Sequence, residues 1–159
     1  MQKVEKITLK LLSKTYIDYL YQFKLSEEQH QFTALPQEVS ELTEGQYGVM
    51  IMHYEEPVGF FLLHQTERVK EYSDNPNAML LTALSINEIH QRKGYAREGM
   101  ILLTNFVKDV FPACDEIVLA VNHRNVPAQK LYSNAGFLDT EKRKEGPKGE
   151  QYIMALQIP

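Results

Sequence analysis

The chain has 159 residues, enough for one domain with a substantial core, and its 43% hydrophobic and 24% charged residues place it among soluble globular proteins. A formal net charge of -4 excludes nucleic acid as the main partner, because neutralising phosphates takes a basic surface, and it suits a cationic substrate. One cysteine, Cys114, leaves no intrachain disulfide, and with no continuous apolar stretch in residues 1–12 and no later run of membrane-spanning length, the expectation is a cytoplasmic protein without membrane contact.

Residues 4–9 alternate apolar with polar, the period of a half-buried strand. Ser13 then precedes Tyr16, Ile17, Tyr19, Leu20 and Phe23 as the N-cap of a helix with an aromatic face. A second short helix is expected over residues 36–43, opened by Pro36 and stopped by Gly45. Residues 47–53 and 58–63 flank Glu55-Glu56-Pro57 as a hairpin. Residues 67–77 are polar, contain Pro76 and read as a loop before a strand over 78–86. After Gly94 a helix places Ala96, Met100, Leu103 and Val107 on one face and ends before Pro112. Residues 115–121 form the next strand, and residues 125–135 a helix closed by Gly136. Residues 137–143 and 151–156 end the chain as a hairpin around Gly146-Pro147-Lys148-Gly149. There is no repeat, linker or low-complexity segment. The order predicts one α/β domain over residues 1–159, with a mixed sheet and helices on both faces.

Two motifs carry chemistry. Gln91-Arg92-Lys93-Gly94-Tyr95-Ala96 lies between the strand at 78–86 and the long helix. Gly94 lets the backbone approach a ligand, the first N–H groups of the helix lack intrahelical partners, and Arg92 and Lys93 add positive charge, so the turn suits a pyrophosphate. The plainer alternative is a connection with two solvated cations. The second motif runs Asn125-Val126-Pro127-Ala128-Gln129-Lys130-Leu131-Tyr132 and ends at Gly136-Phe137.

Together they resemble the two signatures of the GCN5-related N-acetyltransferases (GNAT), through Gln91, Gly94 and Ala96 in the first and Asn125, Ala128, Leu131, Tyr132, Gly136 and Phe137 in the second. The similarity runs from about Leu80 to the C-terminus and is looser before it. Ala96 stands where many relatives have Gly, which a helical position accepts, and Glu88 where relatives often have Pro. The resemblance implies a GNAT fold with a cofactor cleft between splayed fourth and fifth strands, here residues 78–86 and 115–121. It implies acetyl-CoA as co-substrate, its pyrophosphate held by Gln91, Arg92, Lys93, Gly94, Tyr95 and Ala96. Its pantetheine arm would meet the main chain of Leu84, Ser85 and Ile86, whose apolar context equally suits an ordinary buried strand. Asn125, Ala128 and Tyr132 complete the implied cofactor contacts, and Asn125 also reads as a helix N-cap.

Acetyl transfer to an amine needs a proton donor for the departing thiolate, an oxyanion donor and a route for the ammonium proton. The resemblance gives the first role to Tyr132, whose phenol, with a reference pKa of about 10, is protonated at neutral pH; packing within the helix is the alternative reading. It gives the second to a backbone N–H near Ile86. For the base, Glu88, His90 and His123 flank the cofactor segments, Glu88 being the choice among them, with surface positions or a water chain as alternatives. His53 and His64 lack a metal-site spacing, and no metal is assigned.

The resemblance places substrate choice in residues 25–44, the first two helices and their loop. Residues 25–34, with Pro57-Val58-Gly59-Phe60, are similar to the spermine/spermidine (diamine) acetyltransferase subgroup, and Glu27, Glu28, Glu38, Glu41 and Glu44 make this segment acidic. Glu28 and Glu41 are the candidate acceptor ligands, against the reading of a solvated acidic face. The expectation is therefore N-acetylation of the primary amine of a small molecule, with a polyamine as the finer reading. Acetylation of a protein or peptide and a non-catalytic acetyl-CoA-binding module are the alternatives. The sequence is compatible with a homodimer and does not fix the oligomeric state.

Overall fold

The computed structural model describes residues 6–30, 32–38 and 41–159, apart from the side chains at 28 and 38. Seven strands form one sheet: β1 (Ile7–Leu11), β2 (Gln46–His53), β3 (Glu56–His64), β4 (Ala78–Ile86), β5 (Glu116–Asn122), β6 (Leu138–Gly146) and β7 (Gly149–Gln157). Their spatial order is β1-β2-β3-β4-β5-β7-β6. Among the described residues only β4 and β5 run parallel; the other neighbours are antiparallel. The helices are α1 (Ile17–Tyr21), α2 (Glu27–His30), α3 (Tyr95–Val110) and α4 (Val126–Asn134).

One sheet face is covered by α3 and α4, over a core that includes Ile51, Leu63, Met79, Leu103, Leu119 and Phe137. On the other face Leu20 and Phe23 pack on Met50, Met52, Phe60 and Leu62, while Val69 and Tyr72 pack on Leu80, Val118 and Ile153. The buried stripe of α3 is Tyr95, Gly99, Met100, Leu103 and Val107. Ala96, expected on that stripe, is only half-buried, because the register turns Tyr95 inward instead. Gly99 lets α3 lie close on β2: a Cβ there would stand 2.8 Å from Ile51 Cδ1 and would push that side chain aside.

Several elements differ from expectation. β1 runs on to Leu11, and residues 4 and 5 lie outside the described residues. Ser13 precedes a 3-10 turn, Lys14–Tyr16, with no side-chain cap bond, and α1 ends at Tyr21, although Phe23 beyond it is buried. Of the helix expected over 36–43 there is a 3-10 turn, Pro36–Glu38; residues 39 and 40 lie outside the described residues. The segment read as loop contains a 3-10 turn, Glu67–Glu71, fixed by burial of Val69. Helix α2 was not expected; Ser26 Oγ accepts the Gln29 N–H at 3.3 Å at its start.

The sheet opens where the site is expected. The β4–β5 ladder consists of Ala78↔Glu116, Met79↔Ile117 and Leu80↔Val118, and beyond Leu80 the strands part. From there β5 stays paired with β7 along its whole length. On the β3 side, Phe60 pairs with Ser85 and Leu62 with Thr82, so Ala83 and Leu84 together oppose Phe61 in a bulge. Ala83 has φ 59°, the left-handed conformation that lets the extra residue be absorbed. The bulge bends β4 away from β5 and leaves its inner edge without a strand partner.

Candidate active site

Both α3 and α4 follow strands of the one parallel pair, so their N-termini lie at the same edge of the sheet, beside the splay. Gly94 is the N-cap of α3, with φ 83° and ψ 9°, and no side chain caps the helix. The first intrahelical bond there is Glu98 N–H to Gly94 O at 3.0 Å, so the N–H groups of Tyr95, Ala96 and Arg97 lack such partners. Arg92, at φ 65°, and Lys93 stand exposed next to them. Successive backbone donors, a helix dipole and two cations make an anion cradle.

This loop is tied down on every side. Gln91 Nε2 donates to Ile86 O at 2.9 Å, and Asn87 N–H donates to Val58 O at 3.0 Å. Asn87 Oδ1 accepts the Lys24 N–H at 3.1 Å, and Glu88 N–H donates to Lys24 O at 2.8 Å. His90 Nε2 lies 3.0 Å from Glu56 Oε2, and the Tyr95 hydroxyl 3.4 Å from His53 Nδ1. Gln91 and Tyr95 thereby tie their side chains to Ile86 and His53. Sequence reasoning missed Asn87, the clamp between α1 and the loop; a buried Asn directly after a strand was its signal.

On the β4 bank Leu84 and Ile86 pack towards α3. Ser85 is 3% exposed, and among the described residues its Oγ has no hydrogen-bond partner.

On the β5 bank, Asn125 Oδ1 accepts the Ala128 N–H at 3.3 Å, so Asn125 caps α4, and Pro127 sits in the first turn, where a missing N–H costs nothing. The turn before it is held by Asn122: its Oδ1 accepts the Arg124 N–H at 2.8 Å and its Nδ2 donates to Lys148 O at 3.1 Å. Ala128 is half-buried. Tyr132 is 8% exposed and meets Phe137 edge to face at 5.5 Å between centroids. Burial pushes its phenol well above the usual range, so the hydroxyl keeps its proton across the neutral range. Among the described residues that hydroxyl has no hydrogen-bond partner.

The base candidates are not gathered around Tyr132. Glu88 and His123 are exposed and His90 faces Glu56; among the described residues none is hydrogen-bonded to Tyr132. Glu41 is exposed, and the side chain of Glu28 lies outside the described residues. Phe32, after α2, has the Arg124 guanidinium 5.9 Å from its ring centroid, and Arg124 Nη2 donates to Lys148 O at 3.3 Å. Among the described residues no group of three His, Cys, Asp or Glu is placed to hold a metal, and no helix is long and apolar enough to cross a membrane.

The cleft presents an unpaired strand edge and, beside it, an uncapped helix N-terminus flanked by two cations. The model of the family described as Acetyltransferase (GNAT) family matches residues 9–137. An uncharacterized N-acetyltransferase of Bacillus subtilis (strain 168), YbbJ, is 44% identical over 154 residues, covering 94% of this chain and 96% of its own length. The aminoglycoside acetyltransferase AAC(6')-Ib in complex with coenzyme A and kanamycin superposes with a TM-score of 0.75 at 18% identity, over 96% of this chain and 95% of that one. The ribosomal-protein-S18-alanine N-acetyltransferase from Escherichia coli gives 0.64 at 18% identity, over 96% and 94%. At such identities these two structures establish the shared fold alone.

Proposed function

This chain belongs to the acetyltransferase (GNAT) family, and we propose that its acceptor is the primary amine of a small molecule. It is an acetyl-CoA-dependent N-acetyltransferase. When bound, acetyl-CoA supplies an acetyl group activated as a thioester. The N–H groups behind Gly94, with Arg92 and Lys93, hold its pyrophosphate, and the main chain of Leu84, Ser85 and Ile86 holds its pantetheine arm. Asn125 and Ala128 line the β5 side.

Tyr132 holds a proton at Oη for the departing thiolate. Its burial supports this role, since a phenol kept neutral is a donor at every physiological pH. Glu88, exposed on the loop after β4, takes the ammonium proton through water. Tyr132→Phe separates proton donation from packing, and Glu88→Gln, which keeps the shape and removes the charge, should lower kcat if this carboxylate takes the proton.

The observation that carries the acceptor reading is the Phe32–Arg124 contact. It links the segment after α2 to the turn after β5, which supports a closed acceptor site over a groove open to an extended peptide. A diamine or polyamine is the finer reading, supported by net acidity and by Glu28 and Glu41 in the acidic segment. The test is a coenzyme A release assay on polyamines, aminoglycosides and peptides. Turnover of small amines with peptides inert is the expected result; a protein that acetylates peptides alone overturns it.

A further inference from the structure

The face of β4 that carries α1 holds a polar chain that the reaction described above does not use. Gln46 Oε1 accepts the Thr43 N–H at 2.9 Å and faces the Thr43 hydroxyl at 3.1 Å, which fixes the side-chain amide. Its Nε2 then faces His64 Nδ1 at 3.5 Å as a donor. Nδ1 is thereby the accepting nitrogen, the ring proton sits on Nε2, and Nε2 donates to Thr82 Oγ1 at 2.6 Å. His64 is 2% exposed, and burial, reinforced by Arg68, keeps the imidazole neutral. The hydroxyl proton of Thr82 has no other partner among the described residues.

Thr82 stands where the sheet opens. Leu80 and Val118, the last β4–β5 pair, are fully buried; two residues further on, Thr82 and Ala120 would face each other had the ladder continued, and both are half-buried. Between a threonine and an alanine the vertex of the splay has room. An arm laid along the free edge of β4 from the α3 end runs towards this vertex, so its tip, the acyl group, comes to Thr82. A hydroxyl that already accepts one hydrogen bond donates a stronger one, because chained hydrogen bonds polarise each other.

We propose that the Thr82 hydroxyl, oriented by His64 and Gln46, donates a hydrogen bond to the acyl oxygen of acetyl-CoA and so distinguishes it from coenzyme A. The inference rests on the acetyl-CoA reading of the cleft. It is tested by calorimetry with coenzyme A and with acetyl-CoA, without acceptor, on wild type, Thr82→Val and Thr82→Ser. Thr82→Val should bind acetyl-CoA about fivefold more weakly than wild type, the usual net effect of one hydrogen bond, while binding coenzyme A equally well. Thr82→Ser should keep the wild-type ratio of the two affinities. Loss of affinity by Thr82→Val for both ligands alike, or for neither, overturns the proposal. Should Thr82→Val not fold, wild type is compared on acetyl-CoA and S-ethyl-coenzyme A, which lacks the carbonyl; equal affinities overturn it as well. A wild type that binds neither coenzyme A nor acetyl-CoA would instead overturn the reading of the cleft itself.

Discussion

Gln91 turns its side chain back on its own strand, its Nε2 donating to the carbonyl of Ile86 at 2.9 Å. The bond closes the loop between β4 and α3 and fixes the helix N-terminus against the splayed edge. Gln91 thus acts on a ligand through geometry. Gln91→Ala removes one partly buried hydrogen bond and should weaken acetyl-CoA binding about fivefold while changing kcat little. Calorimetry and steady-state kinetics on the same preparation check it; direct contact with the pyrophosphate would give a larger loss.

Gly94 is held at φ 83°, where a side chain is strained, and it stands exposed at the start of α3. Gly94→Glu adds both strain and a negative charge to the anion cradle. Acetyl-CoA binding should be lost while circular dichroism stays native. Unchanged affinity in a folded variant would remove the cradle from residues 91–96.

The legible parts of this fold were those with a period or a cap. The hairpin of β2 and β3, the α3 stripe through Met100, Leu103 and Val107, and the α4 cap at Asn125 all follow from local spacing. The one-turn helix α2 and the 3-10 turns are too short to show a period. The bulge was hidden for a different reason: Ala83 at φ 59° carries no sequence signal, because alanine has no preference for that conformation. At the site, the segments beside the splay were readable from their glycine and cap residues. The side-chain ties of Asn87 and His64 were not, since each depends on a partner distant in sequence, and that of Gln91, to a carbonyl five residues back, leaves no periodic signal.

Tyr132 offers a phenol that burial keeps protonated. Tyr132→Phe retains the edge-to-face packing on Phe137 and removes only the hydroxyl. If that hydroxyl protonates the thiolate, kcat should fall about 10²-fold or more with acetyl-CoA affinity nearly unchanged. Because the pKa is raised, wild-type kcat should show no loss of this donor up to pH 9. An unchanged kcat under rate-limiting chemistry assigns the residue to packing.

His64 makes stability fall in mild acid. Its pKa is lowered to about 4 by burial first and by Arg68 second, against 6.5 when exposed. Above pH 6.5 the ring is neutral in both states and costs nothing. As pH falls from 6.5 towards 4 the unfolded chain takes up a proton that the native state refuses, so stability is lost over that window, by about 3 kcal/mol at most. Urea unfolding of wild type at pH 7 and pH 5 should show this loss, and His64→Gln should show less of it. Equal slopes in the two proteins would place the acid sensitivity elsewhere.

Charge pairing of the acceptor is tested at Glu41, which is exposed and so adds binding energy without being needed for the fold. If a polyamine's non-reacting ammonium meets this carboxylate, Glu41→Gln should raise KM for spermidine about two- to fivefold and leave kcat nearly unchanged, since an exposed pair contributes under about 1 kcal/mol equally to ground and transition states. The effect should shrink for a monoamine, which has no second charge to pair. It should also fade as salt rises, because exposed charges are screened over about 8 Å at physiological ionic strength. Glu28→Gln, in the same acidic segment, should behave alike. A KM for spermidine that is indifferent to both substitutions and to salt would show that the acidic segment is a solvated surface, and that the acceptor is recognised by something other than its charge.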